Sequence, residues 1–474
     1  MKTYPMYIAG KPVETGRTIE VVDPALGEPF AQVAAAGPEH VDAAVAAARV
    51  AFPGWAATPG PERTAMLHAL GGALEANMAE LTELVTRESG KPLQGLNNVG
   101  SGMELGGAIA WTHVTADLAL EHELIQDNEQ ARVEVHRKPL GVVASITPWN
   151  WPLMIAIWHV IPALRAGNTV VLKPSEFTPV ATARFVELAN AILPPGVLNL
   201  VAGGGEVGAT LSAHQGVNKI VFTGSTRTGK RIMEGAAASL KRLTLELGGN
   251  DAGIVLPGAD IKTVAPKLFG AAFHNNGQTC ACLKRLYVHE SQVEELGAEL
   301  ARLAADVKVG NGLEPGVELG PVQNRAQLDI VRALANSARE EGGRFLIGGE
   351  AREGKGYFFE PAVVLGLSNG ARLVDEEQFG PILPVIGYSD VDEAIRLAND
   401  NPNGLGGSVW SQDLALAERV GRQLECGTVW INEHGAVQPD APFGGVKQSG
   451  IGVGFGRQGL EEFTSIQTVK IMKG

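Results

Sequence analysis

The sequence predicts an α/β protein of more than one domain, built on mostly parallel sheets. Three observations carry that expectation. Between residues 132 and 250, short β-rich runs alternate with helical periods, the pattern of βαβ units. A second alternating round begins near Gly253. A chain of 474 residues also exceeds what one compact core usually organises, so two or three domains are expected.

Taken in order, residues 7–10 and 18–22 predict short strands of a small β element. Residues 40–90 have helical periodicity, with Pro61 near a helix start and Gly90 just after Arg87-Glu-Ser, where such residues are favoured. The β-rich runs 142–146, 169–172, 197–201 and 219–222 follow, separated by helical stretches that include 179–192 and 228–238. The stretch 141–164 is apolar enough to raise the question of a membrane span. Pro148, Pro152, Pro162, Asn150 and His159 would sit badly in a lipid-exposed helix, so it reads as buried core. In the second round, strands are expected at 253–256, 285–288, 345–347 and 385–388, and helices at 292–303, 326–341 and 391–399. The acidic segment 121–135 and the tail 462–472 are β-prone and could form an arm that pairs with another subunit. No repeat, low-complexity tract or long linker interrupts the chain, which predicts closely packed domains.

Composition narrows the function classes. A net charge of −13, from 39 basic and 52 acidic residues, argues against nucleic acid or an anionic membrane as partner. Three cysteines, Cys280, Cys282 and Cys426, make no disulfide framework and point to a reducing compartment. Cys280-Ala-Cys282 has no second Cys or His cluster at zinc spacing, so no metal site is expected. The N-terminus lacks a basic segment leading into an apolar one, which makes the cytoplasm the expected address.

Chemistry concentrates in a few segments. Phe273-His-Asn-Asn-Gly-Gln-Thr-Cys280 sets a thiol behind a glycine-containing loop, and Leu245-Glu246-Leu-Gly-Gly-Asn250 sets a carboxylate in an apolar, glycine-rich turn. Acyl-transfer chemistry uses such a pair as nucleophile and base. A thiol is scarcely ionised at neutral pH, so its site has to lower the pKa or supply a base. In Thr147-Pro-Trp-Asn-Trp-Pro152 two prolines fix the backbone around Asn150, whose amide suits an oxyanion, a donor worth roughly 2.7–4 kcal/mol elsewhere. For a phosphate, Phe222-Thr-Gly224-Ser225-Thr-Arg-Thr-Gly229 lies where a strand turns into a helix, and is favoured over the literal Gly-x-Gly-x-x-Gly match Gly203-Gly-Gly205-Glu-Val-Gly208. In Lys173-Pro-Ser-Glu176, the cation suits ribose or phosphate. The acid suits a ribose diol and repels a 2′-phosphate, so NAD is favoured over NADP.

Phe222-Thr-Gly-Ser-Thr-x-x-Gly229, Leu245-Glu-Leu-Gly-Gly-Asn250, Phe273-x-Asn-x-Gly-Gln-x-Cys280, Glu377-x-Phe-Gly-Pro381 and Pro442-Phe-Gly-Gly-x-Lys-x-Ser-Gly450 occur together and in order, with Pro148-Trp-Asn-x-Pro152 as a sixth. Over essentially its whole length the chain resembles the NAD(P)-dependent aldehyde dehydrogenase superfamily. The resemblance implies an aldehyde-dehydrogenase-like fold: a Rossmann-type dinucleotide-binding domain (1–119 and 139–249), an α/β catalytic domain (250–448) and a β oligomerisation arm (120–138 and 460–474). It implies that Cys280 attacks the aldehyde and that Asn150 with the Cys280 backbone N–H forms the oxyanion hole. Hydride then leaves for the nicotinamide, and Glu246 activates the water that hydrolyses the thioester. Lys173 and Glu176 match the adenosine-ribose contacts, Ser225 a pyrophosphate contact, Glu377 with Phe379 the nicotinamide-ribose grip, and Gln327 a further ribose contact. Trp149, Gly205 and Gly224 complete the expected NAD set. Trp151, Ile155, Trp158, His274, Val437 and Phe443 would line the substrate channel.

The chain departs from the family at two places. Many relatives carry Lys where His159 stands and Glu where Gly454 stands, a pair associated with proton exit from the base, so the exit here has to differ, through His159 or water alone. The mostly apolar channel, without an Arg or a full aromatic cage, implies a medium-sized aliphatic or aromatic aldehyde. Glu246 favours hydrolysis over transfer to coenzyme A, so an acylating dehydrogenase is the rival within enzymes. A binding or structural relative without catalysis is the rival outside them. The expected assembly is a homodimer or homotetramer formed through the arm.

Overall fold

The structure, a computed structural model, describes residues 1–473. Its first large sheet has eight strands, in the order Gly450–Ile451, Arg242–Glu246, Lys219–Thr223, Val142–Ile146, Thr169–Lys173, Leu198–Leu200, Met6–Ile8 and Lys11–Val13. The five strands from Arg242–Glu246 to Leu198–Leu200 run parallel. Val142–Ile146, Thr169–Lys173 and Lys219–Thr223 are buried at every residue, as expected for strands covered by helices on both faces. From Val142–Ile146 the chain first builds outward through Thr169–Lys173 and Leu198–Leu200, then returns to the opposite side with Lys219–Thr223. That reversal leaves a crevice at the carboxyl ends of Val142–Ile146 and Lys219–Thr223.

The second sheet has seven strands, in the order Arg344–Ile347, Ala362–Leu365, Ile382–Tyr388, Leu283–His289, Asp251–Val255, Gly406–Trp410 and Thr428–Ile431. All its pairs are parallel except the first. A separate three-stranded sheet pairs Thr464–Met472 with Ala131–Pro139 and that strand with Glu123–Asp127, at both ends of the expected arm. Gly474, the last residue of that expected arm, lies outside the described residues. Lys2–Tyr4, Glu28–Ala34 and Thr18–Asp23 form a small N-terminal sheet.

The helical segment 40–90 is three helices, Pro38–Ala57, Gly60–Ala76 and Met78–Ser89; Pro61 sits in the first turn of the second, and Gly90 closes the third at φ 77°. The apolar stretch 141–164 is strand Val142–Ile146 followed by the mostly buried helix Pro152–Arg165. Among the described residues no helix is long and apolar enough to cross a membrane. Two readings need correction. Glu246 is not in a turn but ends the strand Arg242–Glu246, and the expected strand 7–10 stops at Ile8, because Ala9 and Gly10 turn the chain at φ 53° and 78°.

Buried ion pairing ties the helices to the site. Lys91 and Glu104, both fully buried, form an ion pair. Oε1 of Glu104 also accepts the backbone N–H groups of Leu153 (3.0 Å) and Met154 (3.2 Å), capping the helix Pro152–Arg165. The Lys91 ammonium stands 3.4 Å over the Trp151 ring. Removing one partner of such a pair leaves an uncompensated buried charge, so Lys91→Met is expected to destabilise the protein by about 3–5 kcal/mol. Arg302→Ala, at the exposed pair with Glu299, is expected to leave stability essentially unchanged. Urea unfolding of the two variants beside the wild type checks the contrast.

Candidate active site

Parallel strands bring distant residues to one edge. Asn150 follows Val142–Ile146, Lys173 ends Thr169–Lys173, Gly224 and Ser225 follow Lys219–Thr223, and Glu246 ends Arg242–Glu246. The second sheet supplies Cys280, in the connection between helix Ile261–Phe273 and strand Leu283–His289. That connection begins with Asn275 and Asn276 at φ 49° and 57°, a left-handed backbone that Asn tolerates better than most residues.

The two loops are tied together. Asn275 Nδ2 donates to the carbonyl oxygens of Asn150 (3.1 Å) and Gln278 (3.2 Å), and Asn150 Nδ2 donates to the Gln278 carbonyl at 3.1 Å. One of the two amide protons of Asn150 is therefore committed, and the other is available to an acceptor. The Trp151 indole N–H donates to Thr279 Oγ1 at 3.0 Å. Lys284, buried four residues past the thiol, donates through Nζ to the carbonyl oxygens of Thr279 (2.8 Å) and Cys280 (2.5 Å). The same ammonium lies 3.4 Å from Glu377 Oε1, which also accepts the Gly249 N–H at 3.1 Å.

Around Glu377 the expected cofactor residues gather. Trp149 meets Phe379 edge-on, with ring centroids 5.3 Å apart, and Phe379 itself sits at φ 46°. Gln327 Nε2 donates to the carbonyl oxygens of Gln378 (3.0 Å) and Phe379 (3.1 Å), so its amide nitrogen holds the loop. At the other end, buried Lys173 donates to the Pro174 carbonyl at 2.9 Å and lies 3.9 Å from Glu176. Gly205 begins the helix Gly205–Ala213, and a Cβ on Gly208 of that helix would touch Lys173 at 3.5 Å. Ser225 caps the helix Thr226–Ala236 by accepting the Thr228 N–H at 3.3 Å.

Burial dominates the electrostatics. The Cys280 thiol is pushed up to about 12 by burial, with Lys284 pulling the other way. The expectation of a lowered thiol pKa is thus not met in the protein without ligands, because desolvation outweighs the one nearby cation. Burial also raises Glu246 well above the usual carboxylate range, and neither of its oxygens has a protein partner. His274 is pushed down to about 4 by burial, and its Nδ1 lies 2.9 Å from the Gly270 carbonyl. His159 is pushed down to about 3 by burial, with the Lys219 charge adding to the effect. Both of its ring nitrogens are engaged, by Ser145 Oγ at 3.1 Å and Thr223 Oγ1 at 2.9 Å, so at neutral pH it is an uncharged packing element.

Cys280 opens onto a cavity of about 800 Å³ whose wall includes Trp151, Ile155, Trp158, His274, Val437 and Phe443. Sequence reasoning missed other parts of this site. Trp111 also lines the cavity and packs on Trp158 at 5.6 Å, but its helix, Ser101–Asp117, opens with Gly102, Gly106 and Gly107, which obscured the helical pattern. Lys284 left one available signal, a cation four residues past the thiol at the start of a mostly buried strand.

Comparison with known proteins agrees with this geometry. The model of the aldehyde dehydrogenase family matches residues 12–469. The chain is 39% identical over 485 residues to the phenylacetaldehyde dehydrogenase of Pseudomonas fluorescens, covering 98% of this chain and 95% of that protein. It is 38% identical over 472 residues to the chloroplastic betaine aldehyde dehydrogenase of Beta vulgaris, with 97% and 94% covered. The structure of an aldehyde dehydrogenase from Bacillus cereus in complex with NAD+ superposes with a TM-score of 0.96 at 34% identity, covering 99% of this chain and 96% of that one. The motifs, the strand-end site and these likenesses span the same residues, and the chain belongs to the aldehyde dehydrogenase family.

Proposed function

We propose that this chain oxidises a bulky, largely apolar aldehyde to the carboxylic acid with NAD, without coenzyme A, through a thioester on Cys280. The observation that carries this reading is the thiol in the wall of an apolar cavity, with Asn150 fixed beside its loop and an unpartnered carboxyl, Glu246, at a neighbouring strand end. In the first step the Cys280 thiol releases its proton to solvent, Sγ bonds to the aldehyde carbon and the carbonyl π pair moves onto oxygen, where the remaining Asn150 N–H stabilises it. The bound nicotinamide supplies the acceptor for the hydride that leaves this carbon. Glu246 then removes a proton from water as the hydroxide adds to the thioester. The C–S bond breaks, and the acid departs from the restored thiolate.

The residues present fit a dinucleotide. Gly205, at a helix start, has open space where a side chain would be, and Lys173 retains ammonium protons for ribose hydroxyls beyond its one bond to Pro174. Glu176 beside Lys173 favours a ribose diol over a 2′-phosphate, which supports NAD over NADP. The residue assignments made from sequence for cofactor and substrate belong to this proposal, as does the division into dinucleotide-binding, catalytic and arm parts that the separate sheets support. A homodimer or homotetramer formed through the arm is supported by Leu124, Ile125, Ile466, Ile471 and Met472, which stand exposed on its strands. Three free cysteines support a cytoplasmic address.

For substrate class, the cavity is near the upper end of ordinary ligand pockets, which run about 300–1,000 Å³. Phenylacetaldehyde is expected to exceed succinate semialdehyde in kcat/KM by about tenfold or more, since the wall is mostly apolar and its one lysine, Lys267, is accompanied there by Glu433, so that a misplaced carboxylate costs at least that factor. Equal values would overturn the substrate reading. NADH formation with NAD and an aldehyde panel, coenzyme A omitted, tests the reaction itself. Cys280→Ala is expected to give no turnover, and Glu246→Gln a single burst of NADH followed by a stall. Asn150→Ala is expected to lower kcat by about 10²–10³. Burial raises both Cys280 and Glu246, and both act only after losing a proton, so kcat/KM is expected to climb from neutral into alkaline pH. A flat profile contradicts that assignment.

A further inference from the structure

A base that takes a proton from water in every cycle has to pass it on. The carboxyl oxygens of Glu246 are enclosed, and His159, bonded to Thr223 beside it, is locked between two hydroxyls. The strand that carries Glu246 offers another way out. Thr244 lies two residues earlier and so projects from the same face of the sheet. Lys219, on the adjacent parallel strand, donates through Nζ to Thr244 Oγ1 at 2.7 Å, and Thr244 Oγ1 donates in turn to Glu462 Oε2 at 3.4 Å. Lys219 also lies 3.7 Å from Glu462 Oε2; its side chain is fully buried, whereas that of Glu462 is 32% exposed. This polar seam therefore starts one residue pair from Glu246 and ends at solvent.

Two glycines, with the Val453 side chain beside them, stand between this seam and Glu246. A Cβ on Gly444 would lie 2.7 Å from the Gly452 carbonyl oxygen, 3.1 Å from Val453 Cγ1 and 3.2 Å from Glu246 Oε1, so the backbone here packs directly against the carboxyl. A Cβ on Gly452 would lie 3.2 Å from Thr244 Oγ1 and 3.3 Å from Glu462 Oε2. Gly452 also sits at φ 80°, where any other residue is strained, so backbone geometry keeps this position without a side chain. The same glycine segment thus faces Glu246 on one side and the Thr244–Glu462 pair on the other.

We propose that Thr244 and Glu462, positioned by Lys219, carry to solvent the proton that Glu246 takes up, an inference that rests on Glu246 as the hydrolytic base. One solvent molecule between Glu246 and Thr244 accepts the proton from Glu246 and gives one of its own to the Thr244 hydroxyl. Thr244 passes its original proton to the Glu462 carboxylate, which releases it to bulk water. The net change is one proton moved from Glu246 to solvent, with no oxidant or reductant involved. Lys219 orients the Thr244 hydroxyl toward Glu462 and favours the ionised carboxylate. Burial pushes Lys219 itself down to about 8, with the charge of Arg242 beside it adding to the effect and Glu462 opposing it.

The test uses the full-length enzyme with NAD and a saturating aldehyde. Thr244→Val and Glu462→Gln are expected to retain the first burst of NADH but to lose about tenfold or more in steady-state rate. Added imidazole, a small proton carrier, is expected to restore most of that rate in a concentration-dependent way, which a merely structural defect would not allow. Wild-type steady-state rates in both variants, or a loss that imidazole leaves untouched, would overturn the route. Glu246→Gln separates the two levels of the argument. If it turns over at the wild-type rate, the base assignment itself fails; if it stalls after the burst while Thr244→Val and Glu462→Gln run normally, only the route fails.

Discussion

The site depends on one register. Lys219–Thr223 pairs in parallel with Arg242–Glu246 so that Thr223 stands beside Glu246 and Val221 beside Thr244. Because side chains alternate along a strand, a slip of one residue would send Glu246 and Thr244 to the opposite face. Hydrogen bonds just past the paired segment reinforce the alignment: the Gly224 N–H donates to the Glu246 carbonyl at 3.0 Å, and the Leu247 N–H to the Ser449 carbonyl at 2.8 Å. Ser449 Oγ then donates to the Gly248 carbonyl at 2.7 Å and accepts the Gly404 N–H at 2.9 Å, so this edge of the first sheet is fastened to the segment that enters the second. Cys280 and Glu246 come from different sheets, and these bonds keep the two sheets in step.

Desolvation supplies much of the chemistry. An enclosed carboxyl without partners holds its proton more tightly than one in water, which makes its ionised form a stronger base. The same burial holds the thiol protonated. The protein opposes this with a single buried lysine, whose hydrogen bonds run to two consecutive carbonyls of the nucleophile loop. Charge and position are thus supplied by one side chain, whose ammonium is held between the backbone of the loop and Glu377.

Much of this architecture was legible in the sequence because the buried parallel strands are unbroken apolar runs. Val142–Ile146 coincides with its expected bounds, and Thr169–Lys173 and Lys219–Thr223 extend theirs by one residue. Strands such as Gly406–Trp410 carry too many glycines to stand out locally and form only because neighbouring strands supply their partners. At the site, the types and order of the residues pointed to Cys280, Glu246 and Asn150. The bonds among them are long-range, as with Asn275 to Asn150 or Trp151 to Thr279, and no local pattern encodes such distances. The direction of the Cys280 shift was likewise hidden, since it depends on how completely folding excludes water from the thiol.

The shared ammonium of Lys284 has a bearing on how long the protein lasts. Burial holds the sulfur in its neutral, poorly nucleophilic form, and Glu377, which shares this positive charge with the thiol, acts in the same direction. Thiolates, not thiols, climb the oxidation ladder to sulfenic and sulfinic acids. A thiol kept neutral in this way oxidises more slowly than a thiolate at the same position would.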